Sequence, residues 1–237
     1  LGRFRDDMLS NAYNRLIAEP CKARTEPAQA APKLDRVKYG GKRDVGLDRP
    51  VVGSLAITLD RSSTQTKVSF DAALTRDFLS LNGREDVGET KKVSVCLDLL
   101  RAKAGVKWGA RIESQNNFPT AAGLASSASG FAALVVAASE ALGLKLSDAE
   151  KSALARQGSG SAARSIFGGY VEFAMGAFAD GTASVAKPIL DASAGPLSVA
   201  IESTSTAPKA LGSPMRSNPP GETSPDTKVA VTPQANT

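Results

Sequence analysis

The sequence contains no histidine, and only two of its 237 residues are cysteines, Cys21 and Cys96. The absence of imidazole excludes histidine-based nucleophilic catalysis and histidine-ligated metal sites. Two cysteines are too few for a four-cysteine zinc site or a disulfide framework, so we expect a soluble protein of a reducing compartment, the cytoplasm. The longest apolar run, residues 131–138, is far shorter than the roughly 20 residues that cross a bilayer, so we expect no membrane partner.

Aromatic residues are also scarce, at 5% of the chain, and the basic residues are scattered rather than clustered. The net charge is +5, from 29 Lys and Arg against 24 Asp and Glu. Proteins that bind nucleic acids usually cluster their basic residues and add aromatic stacking platforms. The composition therefore disfavours nucleic acid and leaves anionic small molecules as the expected partners.

By composition the chain divides into four segments. Residues 1–32 form a peripheral extension, in which prolines and an Ala-Gln-Ala-Ala stretch indicate a linker. Residues 33–190 have the hydrophobic patterning of a globular domain, and 191–213 follow as a short separate segment. Residues 214–237 are rich in Pro, Ser, Thr and Asn. Such a segment buries too little apolar surface to offset its ordering entropy, so the sequence predicts a disordered tail.

Hydrophobic spacing predicts the elements of the globular part. The alternation at 54–59 predicts a half-buried strand, and 78–83 predicts a strand that runs into an Asn-Gly turn. Apolar residues spaced by three and four over 124–142 predict a long helix. The segment 147–158 begins with a Ser-x-x-Glu capping box and predicts a second helix, and 170–173 predicts a further strand. Strands, then helices, then strands favour an α+β fold.

Residues 119–130 (PTAAGLASSASG) lead directly into the predicted long helix. A helix N-terminus presents unpaired N–H groups and the positive end of the helix dipole, and small residues let a phosphate come close. One interpretation is an anion site for the phosphates of a nucleotide. The other, of equal weight, is a helix start rich in small residues for close packing. The segment matches neither the Walker A nor the Rossmann pattern.

Two further segments combine small and basic residues. Residues 158–165 (GSGSAARS) include Arg164, whose guanidinium could bind a phosphate or carboxylate through two hydrogen bonds. An arginine on a solvated helix face would explain that segment equally well. Residues 37–44 (VKYGGKRD) place Lys42 and Arg43 after a Gly-Gly turn. An ordinary charged hairpin would explain this pattern.

Together, and in this order, the three segments resemble the GHMP small-molecule kinase superfamily, and within it the diphosphomevalonate decarboxylases. Residues 116–130 resemble the phosphate loop of that family, 158–172 its second motif, and 39–44 its Tyr-Trp-Gly-Lys-Arg-Asp motif. The likeness covers about residues 37–176. It implies an α+β GHMP-kinase N-terminal domain with the ribosomal protein S5 domain 2-like fold, followed at 191–213 by the start of a C-terminal domain that is truncated or missing.

The resemblance also implies a reaction. ATP would phosphorylate the tertiary 3-hydroxyl of (R)-5-diphosphomevalonate, and the phosphate would leave together with CO2, giving isopentenyl diphosphate in the mevalonate route of isoprenoid biosynthesis. ATP and Mg²⁺ are the implied cofactors, and a homodimer is the assembly that the family suggests. Two alternatives stay open: a substrate- and nucleotide-binding module without turnover, and another GHMP kinase acting on mevalonate, phosphomevalonate or homoserine.

Site residues follow from the resemblance position by position. Arg164 and Lys42 are the implied catalytic residues. The implied substrate-binding residues are Tyr39, Gly40, Gly41, Lys42, Lys92, Ser159, Gly160, Ser161, Ala162, Ala163 and Arg164. The implied ATP-binding residues are Pro119, Ala122, Gly123, Leu124, Ala125, Ser126, Ser127 and Ser129.

The sequence departs from the family pattern at several positions. Gly40 stands where the family has tryptophan, and the Lys-Leu-Asp-Arg sequence at 33–36 replaces an apolar strand that usually contains asparagine. Lys92 stands where the family often has an arginine, which keeps the charge but loses the fork. The family's catalytic aspartate lies in an Asp-Ala-Gly-Pro-Asn motif that we do not find after residue 213. The similar stretch that begins at Asp191 comes too early, and we interpret it as a turn.

Overall fold

A computed structural model describes residues 25, 27–37, 42–44, 46–118, 126–178 and 180–195. The strands in these ranges are β1 (Ala28–Ala30), β2 (Lys33–Val37), β3 (Lys42–Asp44), β4 (Arg49–Pro50), β5 (Ser54–Thr58), β6 (Thr64–Asp71), β7 (Phe78–Leu81), β8 (Arg84–Glu85), β9 (Gly109–Asn116), β10 (Tyr170–Phe173) and β11 (Ala186–Leu190). The helices are α1 (Val87–Ala104), α2 (Ser126–Ala141), α3 (Asp148–Gly158) and α4 (Ala162–Ser165). This order confirms the predicted α+β fold.

Two sheets organise the molecule. The five-stranded sheet has the order β1-β6-β9-β7-β8, and its neighbouring strands are antiparallel except for the parallel pair β7 and β9. The four-stranded sheet has the order β11-β10-β5-β2 and is antiparallel throughout. β3 and β4 form a separate hairpin. β2 therefore lies at the edge of the second sheet.

Most of the apolar core lies between the five-stranded sheet and the helices α1, α2 and α3. The alternation along β6 buries Val68 and Phe70, which join Leu97 of α1 and Val135 of α2. A smaller core forms where α4 packs on the second sheet, around Phe173. No helix in the described ranges is both long and apolar enough to cross a membrane.

The strand β1 corrects the predicted boundary at residue 32. Ala28 pairs with Thr66 and Ala30 with Thr64, so the stretch predicted as a linker is a strand of the five-stranded sheet. Ala30 is buried against Ala132 and Ala133 of α2. Alanine has little intrinsic preference for strands, and pairing and close packing on a helix decide the conformation here. Residues 1–24 of the predicted extension lie outside the described residues.

Local signals gave the correct ends of several elements. Asn82 and Gly83 have φ values of 51° and 79°, the left-handed conformations that an Asn-Gly turn requires. The capping box at the start of α3 is present, with Ser147 and Glu150 each accepting a hydrogen bond from the other's backbone N–H. Asp191 accepts from the backbone N–H of Ser193 in a short 3-10 turn, as expected. The predicted tail lies outside the described residues.

Candidate functional site

The first turn of α2 contains three serines in different environments. The Ser129 hydroxyl is buried, 2.6 Å from the Thr64 hydroxyl, and it donates to the carbonyl oxygen of Ser126 at 3.3 Å. Ser127 is exposed and Ser126 is partly exposed. Of the predicted ATP-binding serines, Ser126 and Ser127 thus reach solvent, whereas the Ser129 hydroxyl already serves the fold. The predicted ATP-binding residues in 119–125 lie outside the described residues.

Hydroxyl groups connect the first predicted motif to the second. Ser127 Oγ lies 3.5 Å from Ser159 Oγ, and Ser159 Oγ lies 3.5 Å from Ser161 Oγ. The three partly or fully exposed hydroxyls form a row, called here the serine row, from the start of α2 to the bend between α3 and α4. Two segments that are 32 residues apart in the chain therefore meet at one surface.

Gly158 explains how this approach is possible. A Cβ atom at Gly158 would lie 2.2 Å from a ring carbon of Phe131 in α2 and 2.7 Å from two others, so any side chain there would collide with the ring. The absence of a side chain lets the end of α3 come against α2. Ser159, the next residue, is thereby held beside Ser127.

Arg164 in α4 is completely buried. Its Nη2 atom lies 2.7 Å from Oδ1 of Asp35, and the side chains of Arg164 and Asp35 are 1% and 29% exposed. Lys33, two residues before Asp35 on β2, is also buried, and its amino group donates to Thr58 Oγ1 and to the carbonyl oxygen of Phe167 at 2.6 Å. We call Lys33, Asp35 and Arg164 the charge cluster.

The charge cluster has more positive than negative groups. Burial, together with the positive charge of nearby Arg164, lowers the pKa of Lys33 from its ordinary value of 10.5 to about 7. Two buried cations that act on each other, with one partly exposed carboxylate paired to Arg164, produce a positive potential. Such a cluster favours the approach of an anion.

The remaining predicted substrate-binding residues are placed as follows. Ala162 and Ala163 are buried, so only their backbone could face a ligand. The amino group of Lys92 forms an ion pair with Glu89 on the exposed surface of α1. Lys42 contributes its backbone to β3, and its side chain is outside the described part, as are residues 39–41.

Sequence reasoning missed the roles of Lys33 and Asp35, which it noted only as departures from a family pattern. A partial signal was present, because residues two apart on a strand lie on the same face, so the charges of a lysine and an aspartate at this spacing lie close together. Arg164, which pairs with Asp35 and repels the charge of Lys33, is 129 residues from Asp35 in the chain, and the sequence does not show that pairing.

Among the described residues, no group of three or more Cys, Asp and Glu residues could hold a metal ion. Mg²⁺ that accompanies a nucleotide takes most of its ligands from phosphate oxygens and water, and it needs few oxygens from the protein. The hydroxyl oxygens of the serine row fit such a role. The donor set is therefore compatible with a magnesium–nucleotide complex and does not require a dedicated metal cage.

Comparisons with known proteins identify similar chains. The chain is 44% identical over 169 residues to the diphosphomevalonate decarboxylase of Eremothecium gossypii, which covers 65% of this chain and 43% of that protein. The mevalonate diphosphate decarboxylase of Enterococcus faecalis superposes with a TM-score of 0.66 at 46% identity, covering 70% of this chain and 51% of that one. The structure of MDDEF in complex with MVAPP, AMPPCP and magnesium gives a TM-score of 0.66 at 46% identity, covering 70% and 50%.

The chain spans about half the length of these relatives or less. The part that matches contains β2, the serine row and the charge cluster, that is, all the features of the site described above. Residues 30–186 match the family model of the diphosphomevalonate decarboxylase-like N-terminal domain, and the chain therefore belongs to this family.

Proposed function

We propose that this chain takes part in the ATP-dependent decarboxylation of (R)-5-diphosphomevalonate to isopentenyl diphosphate, with ADP, phosphate and CO2 as the other products. The observation that carries the proposal is the contact of 3.5 Å between the hydroxyls of Ser127 and Ser159. It brings the predicted nucleotide segment and the predicted substrate segment to one surface, which transfer of a phosphoryl group between two bound molecules requires.

ATP and magnesium are the proposed cofactors. The relative solved with MVAPP, AMPPCP and magnesium holds an ATP analogue together with the metal. In this chain the exposed hydroxyl of Ser127 and the first turn of α2 are placed to bind the phosphates of ATP. Magnesium, when bound with ATP, would neutralise phosphate charge, and the serine row offers it hydroxyl oxygens.

The substrate and ATP are both highly anionic, so the chain has to offset their mutual repulsion. We propose that Ser159 and Ser161 donate hydrogen bonds to the substrate and that Arg164 supplies the buried positive charge that holds one of its anionic groups. Donors that are fixed before the reaction stabilise developing charge without reorganising, and they act more strongly where water is excluded.

The reaction has two stages with a defined electron flow. The 3-hydroxyl oxygen attacks the terminal phosphorus of ATP, the bond from that phosphorus to ADP breaks, and the hydroxyl proton passes to water. The bond between the tertiary carbon and its new phosphate oxygen then breaks, the carboxylate is released as CO2, and the electron pair of the broken C–C bond forms the double bond of the product. The cationic groups of the site would stabilise the departing phosphate, the stage at which negative charge concentrates on oxygen.

Turnover tests the proposal. With diphosphomevalonate labelled at its carboxyl group, this chain should release labelled CO2 and ADP in equal amounts. Arg164→Ala, purified in the same way, reports contaminating activity and should release neither. Release of ADP without CO2, with a phosphorylated product in the mass spectrum, would identify a kinase. Substrate binding in calorimetry without release of either product would identify a binding module, and each of these results would contradict the proposal.

A further inference from the structure

We propose that Asp35 is an internal counter-ion of Arg164, which an anionic ligand has to displace, and that this aspartate limits how strongly the site binds diphosphate groups. The inference rests on the proposed function in one respect, that Arg164 holds an anionic group of the substrate. The observation that carries it is the ion pair of 2.7 Å between Arg164 Nη2 and Asp35 Oδ1.

Exposure shows which partner a ligand meets first. The Arg164 side chain is 1% exposed, whereas the Asp35 side chain is 29% exposed. The carboxylate thus reaches solvent, whereas the guanidinium that it contacts does not. An anion arriving from solvent at this nitrogen atom has to take the place of the carboxylate, because both would otherwise be held side by side with like charge.

The position of Asp35 in the fold permits that displacement. Asp35 belongs to β2, an edge strand of the four-stranded sheet, and the pairing of β2 with β5 shifts in register directly after Asp35. An edge strand with an irregularity can move its side chains at lower cost than a central strand, since one side of β2 is not paired with any of the described strands. Arg164 sits on a helix packed against the core and offers no comparable freedom.

The charge of the cluster determines which class of anion binds more tightly once Asp35 has moved away. With Asp35 in place the charge cluster has one more cation than anion when Lys33 is protonated. Once Asp35 has moved away, Lys33 and Arg164 together face the ligand, and this arrangement suits a group with two or more negative charges better than one with a single charge. Asp35 therefore weakens the binding of a diphosphate more than the binding of a monophosphate.

The alternative is that the Asp35–Arg164 pair only stabilises the fold. The two interpretations differ in what removal of the negative charge does to ligand affinity. A purely structural pair would leave the affinity for anions unchanged or lower it, whereas an internal counter-ion that is removed no longer competes with the ligand. Asp35→Asn keeps the size of the side chain and its ability to accept a hydrogen bond while removing the charge.

Calorimetry with inorganic pyrophosphate and inorganic phosphate as probes makes this distinction. We expect Asp35→Asn to bind pyrophosphate about tenfold more tightly than the wild type, with a smaller gain for phosphate. Asp35→Glu restores the charge and should bind like the wild type. Asp60→Asn makes the same change in net charge at an exposed position and should also bind like the wild type. A pyrophosphate affinity of Asp35→Asn within about twofold of the wild type, or weaker, would overturn the inference.

Two further measurements keep the result unambiguous. If circular dichroism shows that Asp35→Asn is unfolded, Asp35→Ser removes the charge with a smaller side chain, and the same gain is expected of it. Failure of every variant to bind either probe would also overturn the inference. Because calorimetry needs no turnover, such a failure is separate from the labelled-CO2 assay, which alone decides the proposed reaction.

Discussion

Two buried arginines, eight residues apart in the chain, are held in opposite ways. The Arg156 guanidinium donates to main-chain carbonyl oxygens of Leu47 at 2.9 Å, of Gly181 at 2.7 Å and of Ser184. Arg164 pairs with the carboxylate of Asp35 on an edge strand. Carbonyl oxygens are fixed by the backbone, whereas a carboxylate on a side chain can be exchanged for another anion. This difference is what we expect if Arg156 stabilises the fold and Arg164 binds a ligand, as proposed above.

The surroundings of Arg156 agree with a structural role. Gly181 has a φ of 76°, and a Cβ atom there would lie 2.7 Å from Nη2 of Arg156. The loop that contains Gly181 is thus shaped around the guanidinium, and Leu47 ties the β3–β4 hairpin to the same side chain. A substitution that removes this arginine should change stability first and chemistry only as a consequence.

The substitution Arg164→Ala is the most sensitive test of the proposed difference between Arg164 and Arg156. Loss of one partner of a buried ion pair typically costs about 3–5 kcal/mol, and we expect a loss of this size in transition-state stabilisation, measured as kcat/KM for diphosphomevalonate. Arg84→Ala removes an exposed arginine as a control and should leave kcat/KM unchanged. An unchanged kcat/KM in Arg164→Ala would show that Arg164 resembles Arg156 after all.

Arg156→Met tests the other part of the comparison, the structural role of Arg156. The substitution removes the side-chain donor to the carbonyl oxygens of Leu47 and Ser184, whereas the Gly181 oxygen still accepts from the backbone N–H of Ser184 at 3.1 Å. Each buried polar group that is left unpaired costs about 1–3 kcal/mol. We expect the free energy of unfolding in urea to fall by about 3 kcal/mol. Arg156→Lys keeps the charge and part of the hydrogen bonding and should lose less. A normal unfolding midpoint with lost activity would assign Arg156 to the site instead.

Lys33→Met tests whether Lys33 in the charge cluster makes the free energy of unfolding depend on pH. The folded state lowers the pKa of Lys33 from 10.5 to about 7. Between these values the unfolded chain binds a proton that the folded chain lacks, so this residue makes stability rise with pH, by up to about 1.4 kcal/mol per unit. Below the folded pKa both states are protonated and the slope vanishes.

Urea unfolding at several pH values on both sides of the folded pKa measures this slope. Lys33→Met should remove the slope and should be more stable than the wild type near neutral pH, because it no longer buries a charge beside Arg164. Lys67→Met, at an exposed position on β6, is the matched control. Identical pH profiles for the wild type and Lys33→Met would show that Lys33 is not desolvated as described.

The smallest effect is expected for Ser127→Ala, at the end of the serine row that belongs to α2. Loss of one hydroxyl contact to a phosphate should raise the KM for ATP by a factor that corresponds to about 1 kcal/mol, while the KM for diphosphomevalonate stays the same. Ser129→Ala is not a suitable control, because its hydroxyl is buried in the fold. A change in the substrate KM alone would contradict the division between the nucleotide and the Arg164 sides.

Much of the fold could be predicted because its signals are local. The capping box before α3, the Asn82-Gly83 turn and the spacing of apolar residues in α2 all act within a few residues, and the structure has each of them. β1 was missed because its conformation depends on pairing with β6 and packing on α2 rather than on its own alanines.

In the candidate site, too, the parts with a local sequence signal could be predicted and the part that depends on distant residues could not. Ser127 and Ser159 were identified from their motifs, and their contact follows from the packing of α3 against α2. The sequence predicts Arg164 as an anion-binding residue, but it does not predict the partner Asp35, because the pairing spans distant parts of the chain. Charges that are buried by tertiary packing have no local pattern that would reveal how they are matched.

The contact between Gly158 and the Phe131 ring sets the width of the gap between the two motifs. A hard aromatic surface, not an attractive bond between the serines, acts as the spacer. Changes in salt concentration or pH should therefore leave this width unaltered. Replacing Phe131 by a smaller residue, or Gly158 by alanine, should change it. If the serine row binds the nucleotide as proposed, a change in bulk at Gly158 or Phe131 should alter nucleotide use without changing any residue proposed to contact the ligand.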